Sequence, residues 1–193
     1  MKKFSLLLAM LMLASLMLTA CGQSASSSAA SESAPVESTS EPAEEDEENY
    51  ETGDASLDDP RNGDEIGEKE LLVVSFGTSF NDSRRLTIGA VEGALEKAFP
   101  EYSVRRGFTS QIIIDHVAKR DGEIIDNMQE ALDRAVNNGV KTLVVQPTHL
   151  MNGLEYEEMS EAIAQYSDAF EQVSIGQPLL TSDEDFQAVA KAI

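Results

Sequence analysis

The stretch that decides the fold is Leu71-Leu72-Val73-Val74-Ser75-Phe76-Gly77-Thr78-Ser79. Its first six residues form a nearly continuous apolar run, a pattern typical of a strand that is buried on both faces in a parallel sheet. The next three residues form a loop that starts with glycine, and Asn81 or Asp82 can cap a helix that continues to about Ala98. The stretch therefore predicts a strand, a loop and a helix in direct succession.

The same unit recurs along the rest of the chain. Further strands are predicted at 102–108, 142–146 and 171–176, and further helices at 109–119, 126–138, 154–170 and 183–193. Strands and helices therefore alternate in a broad βαβαβαβα order, which is typical of a parallel sheet with helices on both faces and right-handed crossovers. We predict an α/β fold over residues 70–193, a three-layer sandwich with a four-stranded parallel sheet, preceded by a disordered tether.

Residues 1–20 have the pattern of a bacterial lipoprotein signal peptide. Lys2 and Lys3 precede an apolar run over 4–18, which is too short for a stable membrane span, and small residues then lead to Cys21. We predict cleavage before Cys21, diacylation of its thiol, and an extracytoplasmic protein anchored to the bacterial cell membrane. The alternative is an ordinary signal peptide with a chance cysteine. Because Cys21 is the only cysteine, the mature chain has no intramolecular disulfide and no thiolate metal site.

Residues 21–69 have the composition of a tether. They are rich in Ser and Ala and then in Glu and Asp, with too few large apolar residues to offset the entropy of an ordered chain. From 22 to 70, 16 acidic residues face only Arg61 and Lys69, so this segment carries most of the formal net charge of −21. We predict an extended, self-repelling spacer. The acidity argues against nucleic acid as a partner.

Three loops follow predicted strands, at 75–80, 108–110 and 146–153. Ligands of open parallel sheets bind outside the carboxyl ends of the strands, so we expect these loops to meet at one site. Glycine in the first loop permits close approach of the backbone, and the helix N-terminus that follows favours anions. His149 lies in the third loop, whereas His116 falls on the outer side of a helix, where we expect it to be solvated.

Several short segments follow one another along the chain, and their order is more specific than any one of them. Phe-Thr-Ser, Ile-Ile and Arg-Asp-Gly follow the first loop, and two longer segments come after them: Gln-Pro-Thr-His-Leu-Met-Asn-Gly-Leu-Glu-Tyr-Glu at 146–157 and Gly-Gln-Pro-Leu-Leu at 176–180. This succession resembles the N-terminal half of the sirohydrochlorin cobaltochelatases of the anaerobic cobalamin pathway (CbiK type). The resemblance covers essentially all of 70–193 and implies a chelatase-like, flavodoxin-like half.

The resemblance implies a class II chelatase, a lyase that inserts Co²⁺ into a precorrin-type tetrapyrrole such as sirohydrochlorin without ATP. Insertion needs an acceptor for two pyrrole protons, and a neutral histidine suits that task near pH 7. His149 is the predicted catalytic residue, and a histidine bonded to loop backbone is the alternative. A substrate rich in carboxylates needs N–H donors or cations, and Arg105 and Arg106 are candidates. The predicted substrate-binding residues are Ser75, Phe76, Gly77, Thr78, Ser79, Arg84, Arg85, Gly153 and Glu155.

The resemblance also bears on the metal. In these enzymes the main metal-binding histidines and glutamate belong to the second of two similar halves, and this sequence resembles the first. In this sequence, the positions that correspond to the metal-binding histidines of the second half are Phe76 and a position at about Glu155. Phe76 cannot bind metal, so no primary metal ligand is assigned. Co²⁺ is expected as the substrate metal, and nothing in the sequence supports haem. Without a second half, an exposed apolar patch is expected around Phe76, Leu150 and Met151.

Three hypotheses about function stay open. The first is a cobaltochelatase represented by its N-terminal half, whose cleft needs a missing C-terminal half. The second is a homo-oligomer that rebuilds the two-half cleft, although Phe76 argues against it because two phenylalanines would stand where histidine is expected. The third is an extracytoplasmic tetrapyrrole- or metal-binding lipoprotein without catalysis. The predicted export motivates this hypothesis, because cobalamin synthesis is mostly cytosolic.

Overall fold

The structure is a computed structural model that describes residues 51–193. The predicted signal peptide, the lipidation site Cys21 and the predicted tether up to residue 50 lie outside the described residues. Among residues 51–193, no helix combines the length and the apolar character needed to cross a membrane.

Four parallel strands form one sheet, in the order β2-β1-β3-β4. The central strand β1 pairs with β2 on one side and β3 on the other, so that Val74 lies opposite Gly107 and Pro147. Leu71, Leu72, Val73 and Val74 are all buried, which confirms the predicted doubly covered strand. The strands are β1 (Lys69–Ser75), β2 (Ser103–Phe108), β3 (Thr142–Pro147) and β4 (Gln172–Ile175).

Five α-helices of ten or more residues connect and follow the strands: α1 (Gly89–Ala98), α2 (Gln111–Asp121), α3 (Met128–Asn137), α4 (Leu154–Gln165) and α5 (Asp183–Ala192). The helix that starts at Asn81 reaches α1 through a π-helical turn, Arg84–Ile88, which the sequence analysis did not predict. Capping boxes at Asn127 and Ser182 begin α3 and α5, so α3 starts slightly later than the predicted residue 126.

Helices cover both faces of the sheet near β1 and β2. On one face, Leu72 and Val74 join a buried cluster with side chains of α3 and α4, including Leu132 and Met159. Neighbouring residues of a strand point to opposite faces, and on the other face Phe108 packs with Ile114 and Val117 of α2. This arrangement confirms the predicted α/β sandwich with a four-stranded parallel sheet.

Residues 51–68 correct the predicted boundary between tether and domain. We call them the strap, because they are ordered and held against the domain rather than disordered. They contain a 3₁₀ turn, Ala55–Leu57, and the Glu68 carbonyl accepts from the N–H groups of Lys141 and Thr142. The Arg61 carbonyl accepts from the N–H of Arg106 at 3.1 Å, on the outer edge of β2. Hydrogen bonds and ion pairs hold the strap, and Ile66 is its one large apolar side chain packed against the core cluster, so its composition gave little sign of order.

Candidate functional site

The carboxyl ends of β1 and β3 lie side by side, where the chain order along the sheet reverses. In open α/β sheets the ligand crevice lies at such a switch point. The three predicted loops meet here: Thr148 N–H donates to the Val74 carbonyl at 2.8 Å, and Thr109 N–H donates to the Ser75 carbonyl at 2.9 Å. The Thr148 hydroxyl also donates to the Ser75 hydroxyl at 2.8 Å. The expected meeting of these loops is confirmed.

The loop after β1, residues 76–80, passes close to the end of β2. Gly77 has φ of 104°, and a Cβ added there would lie 2.5 Å from Cδ2 of Phe108. Ser110 N–H donates to the Phe76 carbonyl at 3.3 Å, which joins the first loop to the second. Only glycine combines this backbone conformation with this close approach, so Gly77 sets the path of the loop.

Two arginines donate hydrogen bonds to backbone carbonyl groups of this loop. Arg84 Nη1 donates to the Thr78 carbonyl at 3.3 Å, and Arg120 Nη2 donates to the Ser79 carbonyl at 2.7 Å. Both guanidinium groups also donate to the Asn81 side-chain oxygen, at 2.9 and 3.0 Å. The Arg-Asp-Gly segment at 120–122 therefore supports the loop after β1, a role that the sequence analysis did not assign to it.

Arg84, Arg105 and Arg106 differ from their predicted role as free cations in a substrate cleft. All three are at most 1% exposed. Arg106 is paired with Glu92 at 2.8 Å and with Asp58 at 2.7 Å, and Arg105 with Asp126 at 2.7 Å. The physical reason is that carboxylates from neighbouring elements occupy these guanidinium groups inside the protein, so the charges are already satisfied.

Among the other predicted substrate-binding residues, Ser75 is buried at 2% exposure, whereas Arg85, Gly153 and Glu155 are more accessible. The Arg85 side chain is 35% exposed and pairs with Asp82 at 3.1 Å. Gly153 is exposed and is the N-cap of α4, and Glu155 lies in the first turn of that helix with a side chain 44% exposed. A carboxylate in the first turn is favoured by the helix dipole. Glu155 and Arg85 thus lie near the starts of the two helices that follow the site loops.

His149 is enclosed beside Glu155. Its side chain is 9% exposed, and Nε2 lies 3.6 Å from the nearer Glu155 oxygen. Both ring nitrogens are buried and neither has a hydrogen-bond partner among residues 51–193, so the alternative of a ring bonded to loop backbone is not observed. Burial lowers the pKa of His149, and the charge of Glu155 opposes this only partly. The imidazole is therefore neutral near pH 7, with a lone pair that can accept a proton.

The backbone of the His149 loop is tied to the chain that follows β4. The His149 carbonyl accepts from Leu179 N–H at 3.0 Å, and the Leu150 carbonyl accepts from Leu180 N–H at 2.7 Å. The Gly-Gln-Pro-Leu-Leu segment at 176–180 therefore positions the histidine loop from behind. In the sequence this segment was noted as part of the family resemblance, without a structural role.

Large apolar side chains are exposed on the site loops, as expected. Phe76 is 49% exposed, Leu150 57% and Met151 59%. Leu154, at the start of α4, and Leu179, after β4, are also exposed, at 70% and 51%, and were not predicted to be part of this surface. Apolar surface of this kind suits the flat face of an aromatic or macrocyclic ligand, or a second protein surface.

The described residues offer no ready-made metal cage. Within 51–193, no group of three or more His, Cys, Asp or Glu side chains is arranged to hold a metal ion. His116, predicted to be solvated, is half-buried, with Nε2 3.4 Å from Nη1 of Arg120.

Comparison with known proteins identifies the family. A model of the CbiK cobalt chelatase family matches residues 69–193. A sirohydrochlorin cobaltochelatase from Salmonella typhimurium (strain LT2) is 36% identical over 125 residues, which are 65% of this chain and 47% of that protein. The chain thus spans about half the length of this curated relative. It belongs to the CbiK cobalt chelatase family.

Proposed function

We propose that this chain takes part in sirohydrochlorin cobaltochelation, the insertion of Co²⁺ into a precorrin-type tetrapyrrole for anaerobic cobalamin biosynthesis. The observation that carries the proposal is the match to the CbiK family over 69–193, which includes the site loops. The relative from Salmonella typhimurium is named for this activity. The site adds an acceptor of suitable chemistry, because His149 is enclosed, neutral and without a hydrogen-bond partner among the described residues.

The proposed chemistry exchanges two protons for one metal ion. Each pyrrole N–H that binds Co²⁺ must lose its proton, and we propose that the neutral His149 accepts one of the two and that the other passes to solvent. The resulting imidazolium would face Glu155, whose oxygen lies 3.6 Å away. Two protons leave as one divalent cation enters, so the charge of the macrocycle is unchanged. No group transfer is needed, and we propose that the insertion requires no ATP.

The exposed strand-end surface supports a second part of the proposal. Phe76, Leu150 and Met151 present apolar area that one face of a tetrapyrrole can cover. The opposite face of the ligand needs another wall, which we propose is either a C-terminal half or a second copy of this chain. The matched relative is about twice as long as the matched region, which leaves room for such a half.

We further propose that the protein works outside the cytoplasm, attached to the membrane through lipid on Cys21. The support is the order of basic residues, apolar run, small residues and cysteine in the first 21 positions. Membrane fractionation of the full chain in a bacterial host, beside Cys21→Ser, tests this. Wild type should sediment with membranes and the variant should not. Equal distribution of both proteins would contradict the anchor.

Metal insertion by the full-length protein tests the proposed activity. Sirohydrochlorin is incubated with Co²⁺ and no ATP, and the absorbance spectrum is followed against a protein-free control. We expect faster conversion with wild type, a loss of about tenfold or more in His149→Gln, and little change in the matched control His116→Gln. Binding of sirohydrochlorin without faster insertion would instead support a binding lipoprotein. No binding and no insertion would overturn both.

A further inference from the structure

We propose that Asp58 of the strap is a positioning residue for the site loop after β1, acting through Arg84. This inference deepens the proposed function and rests on it for the role of that loop. Asp58 lies outside the family match, which begins at residue 69. The folded site of this chain would then depend on a segment that the family match does not include.

Asp58 is buried between two arginines. Its side chain is 2% exposed, and Oδ2 accepts from Arg84 Nε at 2.6 Å and from Arg106 Nη1 at 2.7 Å. Oδ1 accepts from Arg106 Nη2 at 3.2 Å. Burial alone would raise the pKa of Asp58, but the two arginines outweigh it and lower the pKa. The carboxylate is therefore charged at neutral pH and holds both guanidinium groups.

Arg84 connects Asp58 to the loop. The same guanidinium that donates from Nε to Asp58 donates from Nη1 to the Thr78 carbonyl and from Nη2 to Glu123 at 2.6 Å. A guanidinium is rigid and planar, so fixing Nε also fixes the direction of the other two donors. Asp58 thus sets the angle at which Arg84 reaches the Thr78 carbonyl.

The strap is held at a second point beside the same loop. Thr52 carbonyl accepts from Asp82 N–H at 2.7 Å, and Gly53 carbonyl accepts from the Asn81 side chain at 3.1 Å. Gly53 has φ of 92°, and a Cβ there would lie 2.4 Å from Cγ of Asp82. The strap therefore contacts the start of the helix that follows the loop, in addition to its contact through Arg84.

Loss of the Asp58 charge has a defined consequence. Asp58→Asn leaves Arg84 with Glu123 as its remaining carboxylate and removes one of two carboxylates from Arg106. A buried cation that loses a partner reorients toward other carboxylates or water. Arg84 keeps its bond to Glu123 but is no longer fixed at Nε, so its bond to the Thr78 carbonyl is lost and the loop loses one of its two supporting arginines.

Hydrogen exchange of the full-length protein measures this directly. In Asp58→Asn, backbone amides of residues 78–82 should exchange about tenfold faster or more, while amides of β3 and α4 stay protected, because the loop is freed and the core is not. The matched control is Asp59→Asn, an exposed neighbour whose oxygen accepts from Arg61 N–H, a bond that Asn keeps. Unchanged exchange at 78–82 in folded Asp58→Asn would overturn the proposal.

Wild type supplies a second test if Asp58→Asn does not fold. With rising, sub-denaturing urea, amides of the strap and amides of 78–82 should open together, at a lower urea concentration than the core. Loop amides that stay protected after the strap has opened would overturn the proposal. Neither exchange measurement depends on catalysis, so each can succeed even if sirohydrochlorin is not the substrate.

The functional arm uses sirohydrochlorin and Co²⁺ with the folded variant. A positioning role predicts that Asp58→Asn weakens sirohydrochlorin binding, or raises KM, by about tenfold with a smaller change in kcat. A role in stability alone predicts unchanged KM for the folded fraction, and that result would count against the proposal. If wild type itself neither binds nor converts sirohydrochlorin, the proposed function fails and the exchange data decide the role of Asp58.

Discussion

Replacing Glu70 by Gln should change how the stability of the protein depends on pH. Glu70 begins the buried part of β1 and is 0% exposed. Its nearest cation is Arg105, whose Nη1 lies 3.5 Å from both carboxylate oxygens, while Nη2 donates to Asp126 at 2.7 Å. Glu70 is therefore the poorer partner of a shared arginine. Burial raises its pKa from 4.5 to about 7, against the opposing charge of Arg105.

The direction and size of the pH dependence follow from the linkage between proton binding by Glu70 and folding. The folded state binds the Glu70 proton more tightly than the unfolded chain, so this contribution is fully present below pH 4.5 and is lost as pH rises toward about 7. A pKa difference of this size corresponds to about 3 kcal/mol in the free energy of unfolding. Glu70→Gln resembles the protonated acid and does not titrate. The variant should match wild type near pH 4 and exceed it by up to about 3 kcal/mol near pH 8.

Urea unfolding followed by circular dichroism measures the difference at each pH. Groups that share no partner with Glu70, such as His149 with its lowered pKa, titrate in both proteins and cancel in the difference. The matched control is Glu68→Gln, whose carboxylate is 69% exposed and pairs with Lys141 at the surface, so we expect a change of at most about 0.5 kcal/mol. A Glu70→Gln difference that is flat from pH 4 to pH 8 would refute the reasoning.

Three further predictions follow from single residues. Gly77→Ala should lower the free energy of unfolding by about 2–3 kcal/mol, because the new methyl group would collide with Phe108 and the residue must keep a positive φ. The matched control is Gly122→Ala, also at positive φ but in open space, which should lower the free energy of unfolding by about 1 kcal/mol. Met159→Ala should cost about 2–5 kcal/mol by leaving a cavity in the core, and exposed Met151→Ala less than about 0.5 kcal/mol; equal costs would contradict this placement. The rate of metal insertion should fall on acidification with a midpoint below the ordinary histidine pKa of 6.5, because His149 must be neutral; a higher midpoint would count against it.

Much of the fold could be predicted because its signals are local. The apolar run that ends at Val74 marks a buried strand, and the alternation of strands and helices specifies a parallel sheet. The π-helical turn Arg84–Ile88 has no such local signal, and its first residue, Arg84, is buried against Asp58 and Glu123, which are distant in sequence. The strap was missed for a related reason: its contacts are mainly long-range hydrogen bonds and ion pairs, with Ile66 as the apolar contact to the core cluster.

The site was predictable in position but not in detail. Strand ends in a parallel sheet must meet at one edge, so the loops around Gly77 and His149 could be paired from sequence. Which charges face that edge could not, because burial depends on partners distant in sequence. Arg84 and Arg106 looked like free cations until Asp58 and Glu92 were seen to occupy them.

Amide NMR of the labelled full-length protein, titrated with sirohydrochlorin, tests the central claim most directly. The claim is that a tetrapyrrole binds at the strand ends of β1 and β3. We predict saturable shifts that are largest for residues 75–80 and 148–155, with the His149 ring among the affected signals. Largest shifts at the distant acidic groove between Asp64 and Asn138, or no saturable shifts at all, would contradict the account.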